Sequence, residues 1–461
     1  MIGQRTFGIS RRGMVAVMLA SIAVTGCGKG ADTAEKPAAA AGDLEKPALK
    51  LGFIKLTDMA PLAIAQEKGF FREEGLTVTL EPQANWKVLV DGVASGQLDG
   101  AHMLAGQAIA TAAGIGGKVP LIAPLSFDLN GNAITVSNKV WSQIEPKLPK
   151  GADGKVIHPI SASFLKGMPL KWGMVFPTSP HNYELRYWLA AGGVNPGYYL
   201  PGDVAGTTSA EMQLSVTPPP QMPSTLEAGT IDGYSVGEPW NQAAVKKKIG
   251  VPVITDAEIF PDNPEKVLGM TAAFAEKNPK TTKALLRALI KAQQWLDADN
   301  GKNRAEAVEI LSKPNYVGAD AEVIAASMTG KFTFAPGDTR PAEGFNIFFR
   351  QNAGYPFYSD AVWFLTQMRR WGQIATDKPD QWYFDTAKAV YRPELYMAAA
   401  SELAEQGVIP KDAIPQTDGF KPEQSGFIDG KTFNGKQPNA YLASFSIGLK
   451  KGQTVTPAGV K

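Results

Sequence analysis

The ordered part of this sequence begins with Leu49-Lys50-Leu51-Gly52-Phe53-Ile54, an apolar run that predicts a buried β-strand. Asp58 is placed to cap a helix that continues through Ala63-Ile64-Ala65-Gln66 and ends near Gly69. The alternating segment Thr77-Val78-Thr79-Leu80 predicts the next strand. This succession of strand and helix indicates an α/β fold in which mostly parallel sheets carry helices on both faces.

The same order of elements returns in the middle of the chain. Trp172-Gly173-Met174-Val175-Phe176 predicts a strand, and Ser179-Pro180 supplies the N-cap and the N1 proline of a helix from His181 to Ala191. Two similar turns from helix to strand, Gly96-Gln97-Leu98-Asp99-Gly100 and Gly229-Thr230-Ile231-Asp232-Gly233, favour two related lobes.

Length and charge limit the classes of protein that remain. The 461 residues exceed the roughly 250–300 residues at which one hydrophobic core stops growing, so two or three domains are expected. The net charge is +2, and the one short basic run, Lys246-Lys247-Lys248, is typical of a solvated helix end. The sequence therefore predicts no nucleic-acid partner. After about Lys277 it becomes helical, and it closes in a Gly/Pro-rich tail that we expect to wrap the body.

Catalytic motifs are few. The three histidines form no His-x-x-x-His pair, and no phosphate-binding Gly-x-x-x-x-Gly-Lys-Ser/Thr loop is present. Gly233-Tyr234-Ser235-Val236-Gly237 matches the Gly-x-Ser-x-Gly elbow of α/β-hydrolases, but no histidine follows Ser235 to act as the base. We therefore predict that the protein is not an enzyme.

The N-terminus has the build of an export signal. Three arginines precede an apolar run from Met14 to Val24, which is shorter than the about 20 residues that span a bilayer. Small residues lead up to Cys27, which resembles the lipobox of bacterial lipoproteins. This resemblance implies that Cys27 is lipidated and becomes the first residue. Ser10-Arg11-Arg12 also resembles a twin-arginine signal without its Phe-Leu pair, so the export route stays open.

Further motifs follow one another along the chain: Ala65-Gln66-Glu67-Lys68-Gly69-Phe70-Phe71, Asp99-Gly100-Ala101-His102-Met103-Leu104, Arg186-Tyr187-Trp188-Leu189-Ala190-Ala191-Gly192-Gly193, Gly237-Glu238-Pro239-Trp240-Asn241, Ala292-Gln293-Gln294-Trp295, Trp363-Phe364-Leu365 and Arg370-Trp371-Gly372. With them, residues 50–449 resemble the nitrate/bicarbonate-binding subfamily of ABC-importer solute receptors. The resemblance implies a two-lobed periplasmic-binding-protein fold of type II with a helical C-terminal extension, whose lobes close on a ligand.

On this basis we predict four parts of the chain. Residues 1–26 are the lipoprotein signal peptide and residues 27–48 a flexible tether. Lobe 1 comprises residues 49–133 and 260–461, including the C-terminal extension, and lobe 2 comprises residues 134–259.

The resemblance also implies ligand contacts. Trp86 matches a family tryptophan whose indole N–H faces the anion, although a core aromatic is the alternative. Asn132 stands where many members carry glutamine, and its shorter amide donates the same hydrogen bond. His181 matches the ligand histidine and opens a helix, where backbone N–H groups and the dipole favour an anion. A capping or surface histidine is the alternative there.

The fourth contact is a charged position that we align with Glu258, or with Asp256 if the alignment shifts by two residues. The resemblance implies lysine there in nitrate receptors, and glutamate with calcium in bicarbonate receptors. A buried carboxylate that faces an anion needs a bridging cation or a proton. Glu258 is therefore the expected metal ligand if calcium is a co-ligand, and an exposed Glu258 is the alternative.

The expected function is that of a substrate-binding lipoprotein of an ABC importer. We expect it on the outer face of the bacterial cytoplasmic membrane, facing the periplasm, where it delivers a small inorganic anion to permease and ATPase subunits. Nitrate or nitrite is the first candidate ligand and bicarbonate is the second candidate. We expect that no cofactor is required. A stand-alone sensor with the same fold is the other class.

Overall fold

The structure is a computed structural model that describes residues 43–456 and 459–460. The predicted signal peptide, Cys27 and the tether as far as residue 42 lie outside the described residues. The last part of the expected tether belongs to the folded body. Lys280 Nζ lies 2.8 Å from Oδ1 of Asp43, and Oε2 of Glu45 accepts a 2.9 Å hydrogen bond from the backbone N–H of Thr281.

The β-strands are β1 Ala48–Phe53, β2 Thr77–Pro82, β3 Gly100–Leu104, β4 Leu121–Ile122, β5 Leu129–Asn130, β6 Asn132–Ser137, β7 Lys171–Met174, β8 Gln213–Val216, β9 Gly233–Gly237, β10 Gly250–Thr255, β11 Lys266–Thr271, β12 Lys331–Ala335, β13 Asp338–Pro341, β14 Asn346–Ile347, β15 Val455–Thr456 and β16 Gly459–Val460.

The α-helices are α1 Ala60–Glu67, α2 Phe70–Glu73, α3 Trp86–Ala94, α4 Ala105–Ala112, α5 Asn138–Ile144, α6 Pro180–Ala191, α7 Met222–Glu227, α8 Trp240–Lys247, α9 Asp256–Ile259, α10 Ala272–Lys277, α11 Pro279–Gly301, α12 Arg304–Leu311, α13 Ala321–Met328, α14 Tyr358–Arg370, α15 Asp380–Val390, α16 Pro393–Glu405 and α17 Pro438–Ala443. No described helix is both long enough and apolar enough to cross a membrane.

Two five-stranded sheets form the body of the molecule. The first has the strand order β2-β1-β3-β11-β4, and the second has the order β10-β6-β9-β7-β8. In each sheet four strands run in the same direction, as expected, and one strand is reversed: β11 runs antiparallel to β3 and β4, and β6 runs antiparallel to β9 and β10. These two reversed strands are the ones that the chain enters directly after it passes from one sheet to the other.

The two passages between the sheets lie side by side and are held together by two asparagines. The backbone N–H of Asn130 donates to the carbonyl oxygen of Asn263 at 3.0 Å. In return, the backbone N–H and Nδ2 of Asn263 donate to Oδ1 of Asn130 at 3.1 and 3.0 Å. The first sheet takes its strands from residues 48–122 and 266–271, and the second from residues 132–255. The lobe boundaries themselves stay a prediction, since the described residues 43–456 belong to one compact unit.

The C-terminal extension is helical, as expected, and contacts both lobes. Helix α14 packs against α4, which follows a strand of the first sheet, and against α6, which follows a strand of the second. Next to α14, the carbonyl oxygen of Trp371 accepts a 2.8 Å hydrogen bond from the backbone N–H of Tyr199. Close approach of the lobes also requires Gly106, because a β-carbon there would lie 1.9 Å from the carbonyl oxygen of Thr178.

Candidate functional site

A buried lysine lies where the chain passes from the second sheet back to the first. Lys266 is the first residue of β11 and lies opposite Leu104 of β3. Its side chain is 0% exposed, its Nζ lies 2.6 Å from Oδ2 of Asp58, and it also contacts the Glu265 carboxylate. Burial acts to lower the pKa of Lys266, but Asp58 and Glu265 raise it above the ordinary value. The side chain therefore stays a cation.

Asp58 holds two of the groups at this site. Its Oδ1 lies 2.7 Å from Nε2 of His102, while its other oxygen contacts Lys266. Burial acts to raise the pKa of Asp58, but the Lys266 charge and His102 hold it below the usual range. The expected helix-capping role of Asp58 was wrong, because Met59 occupies the N-cap position of α1 and Asp58 pairs with the buried cation instead.

Trp86 brings an indole N–H to the same place. Oδ1 of Asn85 caps α3 by accepting a 3.0 Å hydrogen bond from the backbone N–H of Val88, so Trp86 is the first helical residue. Trp86 is 1% exposed, and Lys266 Nζ lies 5.8 Å from the centroid of its ring. Within residues 43–456, the Trp86 Nε1 donor has no hydrogen-bond partner. A buried donor of this kind beside a cation is what a bound anion would satisfy.

Asp58, Glu265 and Lys266 form a buried charged cluster, and His181 approaches it from the side of the second sheet. Oγ of Ser179 accepts a 3.0 Å hydrogen bond from the backbone N–H of Asn182, and Pro180 opens α6, as the sequence predicted. His181 is fully buried, and its Nδ1 lies 3.5 Å from Oε1 of Glu265. Neither imidazole nitrogen has a hydrogen-bond partner among the described residues. Burial, and secondly the Lys266 charge, keep the pKa of His181 well below its ordinary value, so the imidazole is neutral.

Asn132 also lies in this cluster, but its amide is already engaged. Its Nδ2 donates to Oε2 of Glu184 at 3.1 Å and to the Glu265 carboxyl group. Its backbone N–H donates to Oδ2 of Asp256 at 2.9 Å. A direct bond from the Asn132 amide to a ligand stays a prediction that requires one of these contacts to open.

Glu258 does not reach the cluster. Its Oε2 accepts from the backbone N–H and the hydroxyl of Thr255 at 2.8 and 3.1 Å, in a capping box that starts α9. Burial raises the pKa of Glu258, and the charged residue that acts on it is Arg340 rather than Lys266. The expected placement of Glu258 is thus corrected: its carboxylate lies on Thr255, whereas Glu265 and Lys266, together with the alternative residue Asp256, lie in the cluster.

Five residues of the cluster escaped the sequence interpretation: Asp58, His102, Glu184, Glu265 and Lys266. One signal pointed to two of them. Adjacent opposite charges at Glu265-Lys266 directly precede the apolar run Val267-Leu268, which is unusual at the start of a buried strand.

The donor set does not fit a calcium site. Among residues 43–456, no group of three or more His, Cys, Asp or Glu side chains is arranged to hold a metal ion. The Lys266 ammonium group lies among the carboxylates, where its charge already takes part in neutralising them.

Ser235 has no catalytic setting. It lies in β9, in the middle of the second sheet and opposite Ile134, and its side chain is buried. A nucleophile elbow would instead expose the serine at a sharp turn between strand and helix.

Comparison with known proteins relates the chain to transport receptors. It is 38% identical over 411 residues to the nitrate import ATP-binding protein NrtC of Synechocystis sp., which covers 88% of this chain but 56% of that protein. It is 35% identical over 428 residues to the nitrate/nitrite binding protein NrtA of Nostoc sp., covering 90% of each. The bicarbonate-binding protein CmpA of Synechococcus elongatus is 32% identical over 425 residues, covering 89% of each.

A solved structure agrees with these relatives. The periplasmic nitrate-binding protein NrtA from Synechocystis PCC 6803 matches with a TM-score of 0.74 at 33% identity, over 88% of this chain and 100% of that one. The two-lobed binding-protein fold and the resemblance found in the sequence are thereby confirmed. The model of the NMT1-like family matches residues 42–312, and the chain therefore belongs to the NMT1-like family.

Proposed function

We propose that this protein is the substrate-binding component of an ABC importer and captures a small inorganic oxyanion. Nitrate or nitrite is the first candidate ligand. The observation that carries the proposal is the fully buried Lys266 cation beside two further buried groups, the Trp86 indole and the His181 imidazole. In-plane N–H donors around one positive charge suit a small planar anion, because each anion oxygen then receives a hydrogen bond in a site that excludes water.

Bicarbonate is the second candidate. Its O–H can donate to a buried carboxylate such as Glu265, whereas nitrate carries no proton to donate. CmpA, a relative that covers 89% of this chain, is named for bicarbonate, which keeps this ligand open. Calcium as its co-ligand is the less favoured version, since Lys266 already supplies a cation to the cluster.

We further propose that Cys27 carries a lipid anchor. The anchor would hold the receptor on the outer face of the bacterial cytoplasmic membrane, where permease and ATPase subunits take over the anion. Two features support this: the small residues that precede Cys27, and the relation to NrtC, which is named as the ATP-binding part of a nitrate import system. A stand-alone sensor remains the alternative, and an importer operon beside the gene would decide against it.

One calorimetric panel tests the proposal. Nitrate, nitrite and bicarbonate are titrated into the protein with calcium and again with a chelator. We expect saturable binding of nitrate or nitrite without calcium. Absence of binding for all three anions under both conditions contradicts the proposal.

A further inference from the structure

Three buried carboxyl groups converge on one asparagine. Asn132 donates its backbone N–H to Asp256 at 2.9 Å, and its amide Nδ2 to Glu184 at 3.1 Å and to Glu265. The three acids belong to different elements: Asp256 to α9, Glu184 to α6, and Glu265 to the segment before β11. None of the three side chains is more than 1% exposed. We call Glu184, Asp256 and Glu265 the carboxyl cluster.

Few positive charges balance this cluster. Lys266 contacts Glu265, but it is shared with Asp58, and the backbone N–H of Lys266 also donates to Asp128 at 3.3 Å. The other titratable groups that face the cluster or its neighbours are the buried residues His102 of β3, His181 of α6 and Glu238 after β9. Burial lowers the pKa of both imidazoles, so they add no charge. The charge of one ammonium group is thus surrounded by six buried carboxyl groups: the three of the carboxyl cluster, Asp58, Asp128 and Glu238.

So many buried carboxylates cannot all be ionised beside one cation, because each uncompensated charge would carry a large desolvation cost. Burial raises the pKa of Glu265 to about 7 and that of Asp256 to about 8. It raises the pKa of Glu184 well above the ordinary value. Only Asp58 is held ionised, by Lys266 and His102. Around neutral pH the carboxyl cluster therefore carries protons, and the pKa values of Glu265 and Asp256 lie in the range where their protonation changes most with pH.

We propose that the carboxyl cluster is a proton-binding site that fills when the anion binds, so that the protein captures the anion together with a proton. The inference rests on the proposed function. An anion held by Lys266 and His181 lies next to Glu265, which is 3.5 Å from the His181 imidazole. The negative charge of the bound anion raises the proton affinity of Glu265 and Asp256. A proton that binds to either carboxylate then cancels the charge that the anion adds.

The sign of the pH dependence follows from linkage. The anion-bound protein holds more protons than the free protein, so lowering the pH favours binding. Uptake of one full proton changes the dissociation constant by about tenfold per pH unit. The range in which this occurs is set by Glu265 and Asp256, whose pKa values are about 7 and about 8. We therefore expect the nitrate dissociation constant to fall as the pH is lowered from 8.5 to 6.5.

The test is calorimetric titration of nitrate into the full chain in detergent, in two buffers of different protonation enthalpy, with calcium and again with a calcium chelator. The titrations are run at pH 7.5 and repeated between pH 6.5 and 8.5. The difference between the two observed enthalpies gives the protons taken up. We expect an uptake of about 0.5–1 proton per nitrate near pH 7.5. Glu265→Gln should reduce this uptake by at least half and flatten the pH profile. Glu258→Gln, the same change at a carboxylate outside the carboxyl cluster, should leave the proton uptake and the pH profile as in the wild type.

Each outcome has a separate meaning. Nitrate that binds the wild type with equal enthalpy in both buffers overturns the proton site and leaves the proposed function standing. Nitrate binding that requires calcium and takes up no proton also overturns the proton site, because a calcium ion would then balance the charge of the anion. No binding of nitrate, nitrite or bicarbonate at any pH overturns the proposed function and this inference with it. The wild-type result decides even if Glu265→Gln fails to fold.

Discussion

Nζ of Lys266 lies 2.6 Å from Oδ2 of Asp58, and both side chains are buried in the same lobe. His102 lies in β3 of the first sheet and Trp86 in α3 just before it, whereas Asn132 begins β6 of the second sheet and His181 lies in α6, which follows β7 of that sheet. The cation is therefore fixed beside the first sheet before a ligand arrives. A ligand held by Lys266 and His181 would join the two lobes, which links capture to closure.

The first prediction concerns this ion pair. Lys266→Met leaves the Asp58 charge buried without its partner, so the free energy of unfolding should fall by about 3–5 kcal/mol. In the double variant Asp58→Asn/Lys266→Met no unpaired charge remains at the pair, and most of that loss should return. Neither variant should bind nitrate. Urea unfolding measures the stabilities, and a double variant as unstable as the single one would contradict the argument.

The second prediction concerns the indole donor. Trp86→Phe removes an N–H without a partner in the described residues, so stability should change little while the nitrate dissociation constant rises about tenfold. The matched control is Trp188→Phe, because Trp188 Nε1 donates to the carbonyl oxygen of Ile160 at 2.8 Å. That variant should lose about 1 kcal/mol of stability and keep its nitrate affinity. If Trp86→Phe kept its nitrate affinity and Trp188→Phe lost it, Trp86 would not be a ligand contact.

The third prediction concerns Glu258. Since its carboxylate closes the capping box of α9, Glu258→Ala should lower the free energy of unfolding by about 0.5–2 kcal/mol. Titration of Glu258→Lys should give the same order of affinity for nitrate and bicarbonate as the wild type. A lysine variant that binds nitrate more tightly would place this residue in the pocket after all.

The fourth prediction concerns the anchor at Cys27. Cys27→Ala removes the thiol that a lipid would modify, so the protein should move from the membrane fraction to the soluble fraction of cells. Fractionation and immunoblotting measure this. Unchanged membrane association of the variant would show that something other than a lipid on Cys27 holds the protein.

Local signals predicted the parts of the site that depend on a short stretch of chain. Ser179 and Pro180 mark the start of α6 because a cap and an N1 proline act within one helical turn, and they place His181 correctly at that start. Asn85, which was not predicted as a cap, starts α3 at Trp86 by the same kind of local contact. The two-lobed fold was also predicted, from the motifs that resemble a known family.

The contacts of Lys266 depend on strand pairing between distant parts of the chain, which the sequence analysis did not predict. Lys266 reaches Asp58 only because β11 returns antiparallel beside β3, with Lys266 opposite Leu104 and Leu268 opposite His102. No periodicity within either strand specifies that register. For the same reason Glu258 and Glu265, close in sequence, could not be told apart: one turns back onto Thr255 and the other enters the cluster.

If a small oxyanion binds at the buried Trp86 N–H, the NMR signal of that indole group must respond to the ligand. The protein is labelled with ¹⁵N at its tryptophan indoles, and Trp86→Phe assigns one of the signals from the nine tryptophans. Nitrate is then titrated while calorimetry gives the dissociation constant. We expect the Trp86 signal to shift with added nitrate and to saturate with the dissociation constant that calorimetry gives. A Trp86 signal that stays unchanged while nitrate binds would contradict binding at this N–H.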